Sequence, residues 1–277
     1  MQSLCCAGLK RLWKKLEFFD YSFSPDESKI LIATEEEPIY RRSSTYENYV
    51  FDLSTKKVSK VSAAGKQMFA SFSPDGNKIA FVRDNNIFIN DLKTGTESKI
   101  TNDGEFNKIK NGWSDWVYEE EFSFSKAFFW NADSRKIAYY KFNETLVKEY
   151  SFSDYNDQLY PSEYKYKYPK AGEDNSIVSI HVYDIKQTEN KTIDIGNLTD
   201  IYIPRIKWTK DANTLSVVRM NRHQSKLELL MADADKGTTH TVYAENADTY
   251  IDIHEGDGDY VYFPDEKHFI LVKNIKV

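Results

Sequence analysis

The stretch Gly112-Trp113-Ser114-Asp115-Trp116-Val117-Tyr118-Glu119-Glu120-Glu121 holds residues suited to two different chemistries. Its Gly-x-Ser opening matches the first half of a serine nucleophile elbow. An elbow needs Gly-x-Ser-x-Gly, because the second glycine removes a side chain that would clash in the strained bend. Here Trp116 occupies that place. His181, His223, His240, His254 and His268 lie downstream, but not among the alternating strands and helices of an α/β-hydrolase. Ser114 therefore reads as scaffold beside two tryptophans, and the sequence offers no catalytic residue.

The second half is of another kind. Adjacent carboxylates repel, by about 4 kcal/mol for a pair ~4 Å apart at an effective dielectric near 20, so a fold that holds them together gains from a bound cation. On a strand, Glu120 and Glu121 would face opposite sides, whereas a helical turn sets neighbours about 100° apart and lets both act on one ligand. An acidic triplet alone is commonly a solvated face. The flanking Trp113, Trp116, Tyr118, Phe122 and Phe124 argue instead for a packed scaffold around the charges.

The elements that must position this stretch recur along the chain. "YSFSPDESKILIAT" from Tyr21 and "ASFSPDGNKIAFVRD" from Ala70 share a polar turn between a short strand and an alternating one. "FFWNADSRKIAYYKF" from Phe128 and "IKWTKDANTLSVVRM" from Ile206 are looser copies. The second copy continues through "IFINDL" and "ESKIT", giving a meander of four short strands. Such a unit repeating at about 40 to 50 residues predicts β-propeller blades. An immunoglobulin-like sandwich would lack the fixed turn ahead of the second strand of each group. The expected fold is all-β, an incomplete β-propeller of four-stranded antiparallel blades, with four blades clear and a partial fifth after Tyr250.

Composition agrees and excludes. Nineteen Tyr, 17 Phe and 5 Trp in 277 residues suit half-buried sheet surfaces. A net charge of -6 provides no basic field for a nucleic acid. Cys5 and Cys6 are adjacent, which gives neither a core disulfide nor zinc-ligand spacing, so neither metal nor cofactor is expected. No run of about 18 apolar residues predicts a membrane span. Residues 1–18 form a basic leader, with Lys10, Arg11, Lys14 and Lys15 after a short apolar segment. That order is the reverse of a secretory signal, and the leader reads as disordered or helical. Residues 19–277 read as the propeller domain. Asn143-Glu144-Thr145, Asn190-Lys191-Thr192 and Asn197-Leu198-Thr199 match the N-glycosylation pattern.

Two segments carry a family resemblance. "NGWSDWVYEEEFSFSKAFFWNADSRKIAYYKFNET" from Asn111 and "EYSFSDYNDQLYPSEYKYKYPKAGEDNSIVSIHVYDI" from Glu149 closely resemble the N-terminal propeller of the dipeptidyl peptidase IV family. Its members are serine exopeptidases that remove dipeptides from peptide N-termini, usually after Pro or Ala. The resemblance implies that Glu120 and Glu121 bind the free α-ammonium of a peptide substrate, with Glu119 in support. It also implies that Arg41, with Arg42 adjacent, contacts a substrate backbone carbonyl. The segment 153–174 resembles the family's extended arm, which implies a homodimer contact, and its Tyr160, Tyr164, Tyr166 and Tyr168 alternate as a two-stranded ribbon requires. The family's α/β-hydrolase domain, with its Ser-Asp-His triad, has no counterpart here. The expectation is thus a non-catalytic recognition part of such an enzyme, inactive alone on X-Pro arylamides. A non-enzymatic peptide-binding propeller, or a degenerate gene fragment, is the alternative. The family implies a periplasmic or cell-surface location, which the leader does not support.

Overall fold

The computed structural model describes residues 18–253 and 260–272. The expected leader lies outside the described residues except for Phe18, which opens the first strand. The chain divides into two compact units, residues 1–83 with 87–100, and residues 84–86 with 101–277.

The first unit holds two blades. Strands β1 (Phe18–Phe23), β2 (Lys29–Pro38), β3 (Ser44–Asp52) and β4 (Val58–Lys60) form one antiparallel sheet in chain order. Strands β5 (Met68–Phe72), β6 (Lys78–Arg83), β7 (Asn86–Asp91) and β8 (Thr96–Lys99) form the next. Alternation sends Leu31 and Val50 from one sheet, and Ile79, Phe81 and Phe88 from the other, into a shared apolar cluster.

The repeated turn has a common mechanism. At each one the first residue's amide donates across the turn, from Ser24 to the Lys29 carbonyl and from Ser73 to the Lys78 carbonyl. The returning amide then donates to that residue's side chain, from Lys29 to Ser24 Oγ and from Lys78 to Ser73 Oγ. Of the looser copies, the one at Asn131 keeps the whole device with another side chain, and the one at Thr209 keeps its backbone half. Asn131 Oδ1 accepts from the Lys136 amide, and the Thr209 amide donates to the Thr214 carbonyl.

The second unit contains β9 (Ile109–Asn111), α1 (Trp116–Glu121), β10 (Phe128–Trp130), β11 (Lys136–Asn143), β12 (Glu149–Asp154), β13 (Ser162–Lys167), β14 (Ile177–Asp184) and β15 (Glu189–Thr192). A further blade follows, β16 (Ile201–Trp208), β17 (Thr214–Asn221), β18 (Lys226–Asp233) and β19 (Thr239–Asn246), and then the pair β20 (Val261–Tyr262) and β21 (Ile270–Leu271). The fold is all-β, built of four-stranded antiparallel propeller blades, four of them complete in the described residues.

The third blade departs from the simple meander in two places. Its sheet runs β10-β11-β14-β15, and β9 also pairs with β11, beyond the end of β10. The first strand position is therefore split, and residues 112–127 leave the sheet between its two halves. The excursion is pinched at its base. Gly112, at φ +77°, donates to the Tyr140 carbonyl, Ala127 donates to the Gly112 carbonyl, and Trp113 bridges Lys126. The second departure is a ribbon of β12 and β13 inserted between β11 and β14. The ribbon starts at Glu149, earlier than the expected arm, and Tyr160 lies in its turn rather than on a strand. Tyr150 faces Tyr166 and Phe152 faces Tyr164, so its aromatics share one face.

Candidate functional site

The expected helical turn is α1. Six residues are too few for a helix to persist by itself, since the nucleation cost is spread over so few hydrogen bonds. It is instead held from outside at its start, middle and end.

At the start, Asp115 is the N-cap with extended backbone, and its Oδ1 accepts from the Tyr118 amide at 2.9 Å. Its Oδ2 accepts from Ser176 Oγ at 2.6 Å, which ties the helix to the segment leading into β14. In the middle, Tyr118 is fully buried among Phe122, Phe124, Tyr140, Phe142 and Tyr202, and its hydroxyl accepts the Ile203 amide of β16 at 2.8 Å. At the end, the Phe122 amide donates to the Tyr118 carbonyl, and the Phe122 carbonyl accepts Arg205 Nη1 at 2.8 Å.

The helical twist then grades the three glutamates by exposure. Glu119 is fully buried, Glu120 is half-buried and Glu121 is exposed. Glu120 and Glu121 are consecutive on one turn, about 100° apart around its axis. Glu121 also lines a cavity of about 270 Å³ walled by Trp116, Tyr168, Lys170, Tyr202 and Arg222.

Buried charge surrounds the cap. Lys110 Nζ pairs with Glu144 Oε1 at 2.9 Å, both side chains are almost wholly buried, and the ammonium lies 4.1 Å from the centre of the Trp113 ring. Burial pushes the Asp115 carboxyl up from its ordinary value, against hydrogen bonds from Ser176 and the Tyr118 amide. Burial likewise pushes Glu144 up, against the pull of Lys110.

The profile of the family described as dipeptidyl peptidase IV (DPP IV) N-terminal region matches residues 24–276. The chain belongs to this family. Curated relatives include a probable dipeptidyl-aminopeptidase B of Phaeosphaeria nodorum, 32% identical over 241 residues, with 80% of this chain and 26% of the relative covered. A probable dipeptidyl peptidase 4 of Aspergillus flavus is 33% identical over 228 residues, covering 78% of this chain and 29% of the relative. The chain thus spans less than a third of the length of these relatives. Among solved structures, Porphyromonas gingivalis dipeptidyl peptidase 4 superimposes with a TM-score of 0.82 at 39% identity, over 85% of this chain and 34% of that one. A putative dipeptidyl aminopeptidase IV from Bacteroides ovatus, 22% identical with a TM-score of 0.63 over 81% of this chain and 29% of that one, shares the fold.

In this dipeptidyl peptidase IV-type region, the two motifs that carry the resemblance meet in space. Trp116 of the first packs edge-on against Tyr168 of the second, with ring centroids 4.5 Å apart. Ser114 is fully buried at the base of the excursion, where its amide donates to the Ser125 carbonyl. Arg41 belongs to the first unit, exposed in the turn between β2 and β3 that the Ile39 and Tyr40 amides close onto the Ser43 carbonyl. The sequence reading missed Asp115, Ser176, Arg205, Lys110 and Glu144. Of these only Asp115 carries a local signal, as an acidic residue one position ahead of a helix.

Proposed function

We propose that this chain supplies the peptide-recognising part of a dipeptidyl peptidase-type serine exopeptidase. Glu120 and Glu121 bind the α-ammonium of the substrate, and Arg41 takes a backbone carbonyl. The nucleophile comes from an α/β-hydrolase part, and the β12–β13 arm pairs two copies of the chain. The observation that carries this reading is α1. Two consecutive carboxylates, one exposed and one half-buried, sit on a helix fixed at three points and bordering a cavity. A carboxylate pair that accepts charge-assisted hydrogen bonds from an ammonium also measures distance from the chain end, because an internal residue has no such cation. The relative named as a probable dipeptidyl-aminopeptidase supports a substrate read from its free N-terminus.

The chain titrated with Ala-Pro-Ala and with its N-acetylated form tests this. The free amine is expected to bind at least about tenfold more tightly, the scale of one hydrogen bond to a charged group. Glu120→Gln and Glu121→Gln should each remove most of that preference. Equal binding of the two peptides to the unaltered chain would reject the amine reading and favour a non-enzymatic peptide-binding module.

A further inference from the structure

Holding Glu120 and Glu121 side by side works against their mutual repulsion, and the helix that does so is too short to resist fraying by itself. The restraint must come from groups elsewhere in the chain. Two of them act through side chains at the two ends of α1.

At the first end, Asp115 has one oxygen for the helix and one for Ser176, with both bonds buried. The Ser176 hydroxyl, 61 residues away in sequence, thereby fixes the rotation of the capping carboxylate. At the far end, Arg205 donates to the carbonyl of Phe122, the residue directly after Glu121. The same Nη1 donates to the Pro204 carbonyl at 2.7 Å, and the guanidinium carbon lies 5.8 Å from the Phe124 ring centre. A planar guanidinium held by two carbonyls on its own strand and on the helix cap is a rigid strut rather than a flexible tether.

We propose that Asp115 with Ser176, and Arg205, are positioning residues. They clamp the two ends of α1 so that Glu120 and Glu121 present their carboxylates to one ammonium. This rests on the amine reading above. None of the three need touch the peptide, so they act through the glutamates alone. A residue that merely stabilises the fold would lower the melting temperature without changing the preference for a free amine.

The full chain is titrated with Ala-Pro-Ala and N-acetyl-Ala-Pro-Ala, and the ratio of the two affinities is the readout, beside the melting temperature and near-ultraviolet circular dichroism. Asp115→Ala, Ser176→Ala and Arg205→Gln are expected to lower the ratio about five- to tenfold, the scale of one lost hydrogen bond, with binding of the acetylated peptide unchanged. Asp115→Asn keeps an acceptor for the Tyr118 amide, and Arg205→Lys keeps a donor, so both should restore most of the ratio. Should Asp115→Ala fail to fold, Ser176→Ala decides, since it leaves the cap in place. Ratios within about twofold of the unaltered chain in the folded variants, an error-sized change, overturn the positioning roles while Glu121→Gln still collapses the ratio. If Glu121→Gln also leaves it unchanged, the amine reading fails and the positioning proposal fails with it.

Discussion

Asp26 and Asp75 sit in the repeated blade turns, and Asp115 and Glu144 sit in and beside the excursion that carries α1. Hydrogen bonds from Ser24 and Ser28 hold the Asp26 carboxyl well below the usual range. Partial burial opposes the same effect at Asp75, but bonds from Asn77 and Ser73 hold it down to about 2. At Asp115 and Glu144 burial wins instead, and both are pushed up. One functional group thus serves two regimes. In the turns the charge is wet and its acceptors organise the backbone. Around α1 it is dry, and it persists only with specific partners. The buried carboxyls gather where the blade departs from its own pattern.

The largest test of this difference breaks a buried partner. Lys110→Met leaves the Glu144 carboxylate buried without its cation. It should cost about 3–5 kcal/mol in urea denaturation, whereas Lys110→Met with Glu144→Leu should recover most of the loss. A single substitution that costs no more than the double one would show the excursion to be as tolerant as the turns. Asp75→Ala in the wet regime should cost about 1 kcal/mol or less, because solvent replaces its bonds.

The pH dependence comes next in size, and its signs are opposite. Asp26 and Asp75 bind protons more weakly when folded, so their contribution is complete above the ordinary value of 3.8 and is lost as pH falls below it, for Asp75 toward about 2. Asp115 and Glu144 bind protons more tightly when folded. Ionising them therefore costs stability as pH rises through their raised values, and costs nothing below the ordinary range. Asp75→Asn should flatten the acid limb of a stability-against-pH curve, and Asp115→Asn should remove part of the opposing slope above it. Identical curves for the two variants would erase the distinction. A comparably small effect is expected at Gly76, whose φ of +65° supplies the left-handed corner of one turn. Gly76→Ala should cost about 1 kcal/mol in the same denaturation assay, and no cost would mean that the turn relaxes.

The blades were legible because each turn is closed by residues within six positions of one another, so local sequence contains the whole device. Glu120 and Glu121 were legible for the same reason, as a dense acidic string against an aromatic background. Ser176, Arg205 and Ile203 were not. Their contacts with the α1 segment span 61, 83 and 85 residues, and a lone serine or arginine has no periodicity to betray its partner. The arm was half legible. Its aromatic alternation marks β13, but β12 reads as a continuation of the preceding strand until its pairing with β13 is seen. The roles of Glu120, Glu121 and Arg41 rest on the family resemblance and on the titrations above.

The split first strand of the third blade has a consequence for engineering and for divergence. Because β9 and β10 both take their register from β11, and Gly112 and Ala127 close the gap directly, residues 113–126 behave as a cassette. Its outer residues can change without altering the register of β9 or β10, whereas Asp115, Tyr118 and Phe122 must stay, because they carry the bonds to Ser176, Ile203 and Arg205.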